Sequence, residues 1–129
     1  MNYFYNNFLS LDKINEVYDT IFNIDFPFFY AHENTVSKPD LNKEENIKAT
    51  TETYNCPHTD TDKPHLAAIY YVNDSDGFTF LFDNNNNIIN RIVPKKGSLL
   101  LFDGSIKHAS GHPIKSLKRC VINFNLTKW

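Results

Sequence analysis

The chain has 129 residues, a formal charge of −2 and two cysteines, and these values exclude several classes of protein. A chain of this length forms one domain around one core, so we expect a single domain over residues 1–129. The near-neutral charge is not typical of proteins that bind nucleic acids or membrane surfaces. Two cysteines are too few for a secreted disulfide scaffold.

The charge is unevenly distributed. Residues 1–64 carry five Lys and eleven Asp or Glu, whereas residues 65–129 carry eight Lys or Arg and four Asp. Two interpretations stay open: oppositely charged solvated faces, or an anion site in the second half. The N-terminus lacks the basic and apolar regions of a signal peptide, and no stretch is long enough to span a bilayer. We therefore expect a cytoplasmic protein without membrane contacts.

A helix is predicted near the N-terminus. Ser10 is a suitable N-cap, and apolar residues follow it at helical spacing. They are Leu11, Ile14, Val17, Tyr18, Ile21 and Phe22. The apolar segment "FPFFYAHENT" comes next, followed by the polar, proline-interrupted "VSKPDLNKEEN", which is predicted to be a loop. Residues 1–46 are thus expected to form a helical and loop support for the remaining chain.

From residue 47 onward the pattern changes to short strands separated by turn signals, which predicts a β-barrel core over residues 47–129. The predicted strands are "IKATTETY", "LAAIYYVND", "FTFLFD", "IINRIVP", "SLLLFD" and "RCVINFNL". All four glycines fall in the connections, and "DNNNN" is predicted to be a hairpin loop. The pattern indicates a mainly β protein, an antiparallel sandwich or barrel such as a jelly roll, with the helix packed outside the sheet.

A candidate metal site begins in the segment "PHTDTDKPH". His58 and Asp60 lie two residues apart, so in an extended segment both side chains point to the same side and can bind one metal ion. His108, which follows the predicted strand "SLLLFD", is a candidate third ligand. Two histidines and one carboxylate on one face of an iron ion are typical of non-haem Fe(II) oxygenases. Arg119, at the start of the last strand, is suited to hold a carboxylate through two parallel hydrogen bonds.

In chain order, the segments "HTD", "IYYVNDSDGFTFLF", "IVPKKGSLLLFDGSIKHAS" and "RCVINFN" resemble the 2-oxoglutarate/Fe(II)-dependent dioxygenases, especially the prolyl-hydroxylase-like branch and small oxygenases of bacteriophages and environmental microbes. The resemblance covers about residues 47–125. It implies a double-stranded β-helix, or jelly roll, in which His58, Asp60 and His108 bind Fe(II). It also implies that Arg119 pairs with the distal carboxylate of 2-oxoglutarate and that Tyr71 donates a hydrogen bond to the same group.

Strand alternation adds three residues to the predicted cosubstrate pocket. Asn123 and Asn125 share the face of Arg119, so both are predicted to line the pocket, as is Ile69 beside Tyr71. A buried arginine without an anion is costly, which is consistent with a bound cosubstrate.

Alternative ligands remain in the sequence. Asp62, His65 and His112 are close in sequence to the three proposed ligands, although Asp62 lies beyond the same-face position and His112 lies in a turn signal. His32 is expected to be an ordinary surface or loop histidine. Cys56 and Cys120 are expected to be buried or half-buried thiols, and Cys56 is a candidate for oxidation because it precedes His58 by two residues.

The resemblance implies an oxidoreductase that uses dioxygen and 2-oxoglutarate to hydroxylate a peptide residue, such as proline, or a small metabolite, with release of succinate and carbon dioxide. The alternative is a non-catalytic jelly-roll binding or structural module that holds a structural metal. A nucleic-acid demethylase and a zinc hydrolase are weaker alternatives.

Overall fold

Seven strands and one helix make up the described part of this computed structural model, which covers residues 2–23 and 54–127. In chain order they are β1 (Asn2–Tyr5), α1 (Leu11–Ile21), β2 (His65–Tyr71), β3 (Thr79–Phe82), β4 (Ile88–Ile92), β5 (Leu99–Asp103), β6 (Lys107–Ser110) and β7 (Val121–Thr127). The predicted strand "IKATTETY" except Tyr54, the segments "FPFFYAHENT" and "VSKPDLNKEEN", and His32 lie outside the described residues.

The strands form two antiparallel sheets. One has four strands in the order β1-β5-β2-β7, and the other has three in the order β4-β3-β6. Side chains from both sheets share one core cluster, which consists of Ala67, Ile69, Tyr71, Leu100 and Phe102 from the first sheet and Leu81 and Ile92 from the second. The sheets therefore pack against each other. The predicted mainly β architecture is confirmed at this level.

Alternation within the strands separates two faces of each sheet. In β3, Leu81 faces the shared core, whereas Phe80 and Phe82 pack on the opposite face with Tyr54. Phe80, Phe82 and Leu81 are each at most 2 % exposed. Full burial of an apolar side chain of this size stabilises the fold by about 1.5–3 kcal/mol. The apolar run of β3 therefore reflects burial on both faces.

The helix forms where the sequence predicts it. The Ser10 hydroxyl accepts a hydrogen bond from the backbone N–H of Lys13, which caps the first turn. The apolar face of α1 packs on the outer face of the four-stranded sheet, through Val17, Tyr18 and Ile21. Lys96 lies over the Tyr18 ring, with Nζ 3.9 Å from the ring centroid, and adds a cation–π contact. The helix thus packs outside the sheet, as predicted.

Two strands differ from the predictions. Asn2–Tyr5 pairs with β5, although no strand was expected before the helix. Lys107–Ser110 pairs with β3, so His108, which follows β5 as predicted, lies within a further strand that was not predicted. The segment "KHAS" has low intrinsic strand propensity, and it is extended because β3 offers it a ladder of hydrogen bonds. Within residues 2–23 and 54–127, no helix is both long and apolar enough to cross a bilayer.

Gly97 provides a test of this packing. It has a φ of +83°, and a Cβ built there would lie 2.8 Å from Cγ1 of Ile14 in the helix. We expect Gly97→Ala to lower the free energy of unfolding by about 1–3 kcal/mol, because a left-handed conformation is strained for any other residue. Urea unfolding measures the change. Asn84→Ala, in an exposed loop and without positive φ, is the control and should leave the midpoint unchanged.

Candidate metal centre and anion pocket

An isolated β-bridge places His58 beside His108. The backbone N–H of each residue donates to the carbonyl of the other, at N···O distances of 3.0 and 2.9 Å. The carboxylate of Asp60 reaches both rings, because its Oδ1 lies 3.4 Å from Nε2 of His58 and 3.4 Å from Nε2 of His108. The three ligand atoms lie within 4.8 Å of one another. Their convergence creates a candidate metal centre.

The donor set fits a divalent transition metal. Imidazole and carboxylate groups suit Fe, Mn, Co and Zn, and three ligands from the protein leave coordination positions open. The Nδ1 atom of His58 lies 2.9 Å from the Cys56 carbonyl. In the tautomer that donates from Nδ1, Nε2 keeps its lone pair on the side of Asp60. A backbone carbonyl therefore orients this ligand.

His108 forms the buried side of the centre. Its ring lies edge-on to Phe102, with ring centroids 5.1 Å apart. Burial lowers the pKa of His108 below its ordinary value of 6.5, although the neighbouring Asp60 carboxylate opposes the shift. The neutral ring is the form that binds a metal. The His58 side chain is 48 % exposed, so the centre opens to solvent on that side.

The alternative ligands do not join the cluster. Asp62 and His112 are exposed. The His65 ring is buried against Gly104, where a Cβ would collide with it, and its Nδ1 lies 2.8 Å from the Lys63 carbonyl. Among the residues that the structure describes, His58, Asp60 and His108 are the one group of three or more His, Cys, Asp or Glu side chains with this spacing.

The side chains of Arg119 and Tyr71 both donate hydrogen bonds to Thr79. The Nε–H of Arg119 donates to the Gly77 carbonyl at 2.8 Å, and its NH2 group donates to Oγ1 of Thr79 at 2.8 Å. The Tyr71 hydroxyl donates to the same Oγ1 at 2.7 Å. No carboxylate pairs with Arg119 in the described part of the chain. The three side chains leave a cationic cluster without an anion.

Burial shapes the electrostatics of this cluster. Desolvation raises the pKa of Tyr71 to about 12, so its hydroxyl stays protonated and remains a donor. Desolvation also lowers the pKa of Arg119 from its ordinary value of 12.5, while Tyr71 and Cys120 oppose the shift. A guanidinium nevertheless stays charged in proteins. A carboxylate entering here meets the positive charge of Arg119 and two hydroxyl groups, of which Tyr71 already donates its proton to Thr79.

Thr79 is a site residue that the sequence reasoning missed. It is 1 % exposed, and it is the one polar residue in the run "FTFLF". The position of Thr79 in this apolar run could have indicated a role in the site, because a buried hydroxyl within an apolar strand needs hydrogen-bond partners. Thr79 pairs with Ser110 and Leu81 pairs with His108, so Thr79 and His108 are diagonal neighbours across β3 and β6. Such side chains lie roughly 7–8 Å apart.

Asn123 and Asn125 lie opposite Ile69 and Ala67 in the pairing of β7 with β2. Because side chains alternate along a strand, the two asparagines share a face with Ile69 and Tyr71. Both are exposed, and no hydrogen bond joins either amide to Arg119 or to the three metal ligands. They lie on the open part of the face, so a direct contact with the cosubstrate stays a prediction.

The two cysteines lie near these groups. Cys56 and Cys120 are both partly buried and form no disulfide. Burial raises the pKa of the Cys120 thiol, which favours its neutral form. Cys56 contributes through its backbone carbonyl, which contacts His58.

Comparisons with protein-family models, with curated proteins and with solved structures find no match to this chain.

Proposed function

We propose that this chain is a 2-oxoglutarate- and Fe(II)-dependent dioxygenase with a double-stranded β-helix, or jelly-roll, core. Its substrate is a peptide residue, such as proline, or a small metabolite. One observation carries the proposal: a His-Asp-His cluster and an arginine without a carboxylate partner meet at the inward face of β3 and β6, where His108 belongs to the cluster and its diagonal neighbour Thr79 accepts a hydrogen bond from Arg119. A metal and a carboxylate-bearing cosubstrate are the two groups that this pairing suits.

His58, Asp60 and His108 would hold Fe(II) through two imidazole nitrogens and one carboxylate oxygen. When bound, iron and 2-oxoglutarate supply the oxidative chemistry, in which dioxygen hydroxylates a C–H bond as 2-oxoglutarate becomes succinate and carbon dioxide. The residues of the chain bind and orient these groups. The Cys56 carbonyl fixes the ring of His58, and Phe102 packs against the ring of His108.

Arg119, Tyr71 and Thr79 would hold the far carboxylate of 2-oxoglutarate. Arg119 supplies charge, and the single hydroxyl proton of Tyr71, which Thr79 accepts in this structure, would turn to the carboxylate when it binds. The diagonal spacing of roughly 7–8 Å between Thr79 and His108 suits a small dicarboxylate that reaches from the arginine to the metal. Asn123 and Asn125 lie on the same face and are proposed to line the outer part of the pocket.

A non-catalytic module with a structural metal is supported less well. Structural zinc sites usually have four protein ligands and are closed to solvent. The cluster here has three ligands among the described residues, and His58 is half exposed. A purely structural site also gives no reason for the uncompensated charge of Arg119.

Anaerobic titration of the metal-free protein with Fe(II) and then 2-oxoglutarate tests the proposal. We expect a weak visible absorption band that requires both additions, and succinate release once oxygen is admitted. Zn(II) in place of Fe(II) is the matched control and should give neither signal. Folded protein that binds Fe(II) but never 2-oxoglutarate would contradict the oxygenase function, and hydrolytic activity with Zn(II) would favour a hydrolase.

A further inference from the structure

The loop of residues 111–118 connects the two halves of the candidate site. It begins after β6, which carries His108, and ends at Arg119. Its position therefore decides where the guanidinium lies relative to the metal ligands. Asp76 and Gly77 both contact this loop. They are adjacent residues in the connection between β2 and β3.

Asp76 binds the middle of the loop through its carboxylate. The carboxylate accepts backbone N–H groups from Ile114 at 3.1 and 3.2 Å, from Lys115 at 2.7 Å and from Ser116 at 3.1 Å. The backbone N–H of Asp76 donates in return to the Ser116 hydroxyl at 3.1 Å. Three successive N–H groups thus converge on one side chain that lies about 40 positions earlier in the chain.

Gly77 accepts a hydrogen bond from the residue that follows the loop and lies close to the residue that begins it. Its carbonyl accepts the Nε–H of Arg119 at 2.8 Å. A Cβ at Gly77 would lie 2.8 Å from the Gly111 carbonyl oxygen and 3.1 Å from Cδ of Arg119, so any side chain would displace one of them. The backbone at this point can approach the loop only because residue 77 is glycine.

The loop hydrogen bonds also fix the charge state of the carboxylate. Backbone donors, first among them that of Lys115, hold the pKa of Asp76 well below its ordinary value of 3.8. The carboxylate is therefore ionised at neutral pH and accepts from all three N–H groups. Its contribution to stability is present above about pH 4 and is lost as the pH falls through the lowered pKa.

We propose that Asp76 is a positioning residue for Arg119: by holding the 111–118 loop against Gly77, it aims the guanidinium at Thr79 and at the carboxylate of the cosubstrate. The inference rests on the proposed function for the identity of that carboxylate. The placement of Arg119 by Asp76 is a separate claim, because it concerns contacts within the chain.

Asp83 offers a matched control. It also holds a loop, since its Oδ1 accepts the backbone N–H groups of Asn85 and Asn87 at 2.9 and 2.8 Å. Its pKa is likewise lowered, chiefly by the Asn87 N–H. That loop joins β3 to β4 and does not contact Arg119. Asp83→Asn therefore removes the same kind of interaction from a different place.

The experiment compares Asp76→Asn and Asp83→Asn in the full chain loaded with Fe(II). For Asp76→Asn we expect the KM for 2-oxoglutarate to rise roughly tenfold, as for one misplaced hydrogen bond to a charged group, with kcat within about twofold. Asp83→Asn should change neither. If Asp76 had a purely structural role, both variants would be less stable, but Asp76→Asn would not show a raised KM with an unchanged kcat.

A second measurement does not depend on turnover. The Nε–H proton of Arg119, observed by NMR in the metal-free protein, should exchange faster with water in Asp76→Asn and at the wild-type rate in Asp83→Asn. If Asp76→Asn does not fold, Ser116→Ala replaces it and should give a smaller change in the same direction. Unchanged exchange in the Asp76 variant would overturn the inference, whereas absent wild-type turnover would contradict only the proposed function.

Discussion

Replacing Arg119 with methionine is expected to raise the dissociation constant for 2-oxoglutarate about 100-fold or more, because truncating one partner of a buried charged pair costs several kcal/mol. Methionine keeps most of the side-chain volume and removes the charge. Fe(II) binding should be retained, since the three metal ligands do not contact Arg119. Isothermal titration with 2-oxoglutarate, in the presence of Fe(II) and without oxygen, measures the loss.

The variant should remain folded. Methionine gives up two hydrogen bonds, to the Gly77 carbonyl and to Thr79, but it also removes the desolvation cost of a part-buried charge. Lys115→Met is the control, because it removes one positive charge from the exposed part of the same loop. Equal loss of 2-oxoglutarate binding in both variants would show that general positive charge, and not a specific pocket, attracts the ligand.

Replacing His58 with alanine is expected to abolish Fe(II) binding at micromolar metal. The loss should exceed the roughly 10- to 100-fold that removal of a second-sphere partner typically causes, since a direct ligand disappears. His58 is half exposed, so the substitution should not disturb the core. Anaerobic titration with Fe(II), or with Co(II) as a coloured substitute, measures the affinity.

His112→Ala is the matched control for the metal site. His112 is an exposed histidine four positions after His108, and it belongs to no metal cluster among the described residues. Its replacement should leave metal affinity unchanged. Full metal affinity in both His58→Ala and a folded His108→Ala variant would rule out the assigned centre.

The candidate metal ligands could be proposed from the sequence alone, whereas the residues that hold the site in place could not. His58 and Asp60 are two positions apart, a spacing that extended backbone converts directly into proximity. The contacts of Thr79 with Arg119 and of Asp76 with Lys115 give no such spacing signal, because these partners lie about 40 positions apart. Only the folded arrangement shows that one hydroxyl joins Tyr71 to Arg119.

The strands and the helix were likewise predicted where the signal lies within one short segment of the chain. Strands β2, β3 and β5 were predicted because their runs of apolar and β-branched or aromatic residues reflect burial. Strands β1 and β6 are as short as β3 but were missed, because β1 is mostly exposed and so lacks a buried apolar run, and β6 takes its conformation from β3 and not from its own residues. The helix was predicted because an N-cap and a repeated apolar face occur together within one segment.

The bridge between His58 and His108 has a consequence for chain entropy. Two mutual backbone hydrogen bonds already join segments that lie 50 residues apart, so the ligands are held together before any metal arrives. A bound ion would then act as a cross-link that closes a long loop of the unfolded chain and favours the folded state. Metal concentration would in this way shift the unfolding equilibrium of the protein, independently of any turnover.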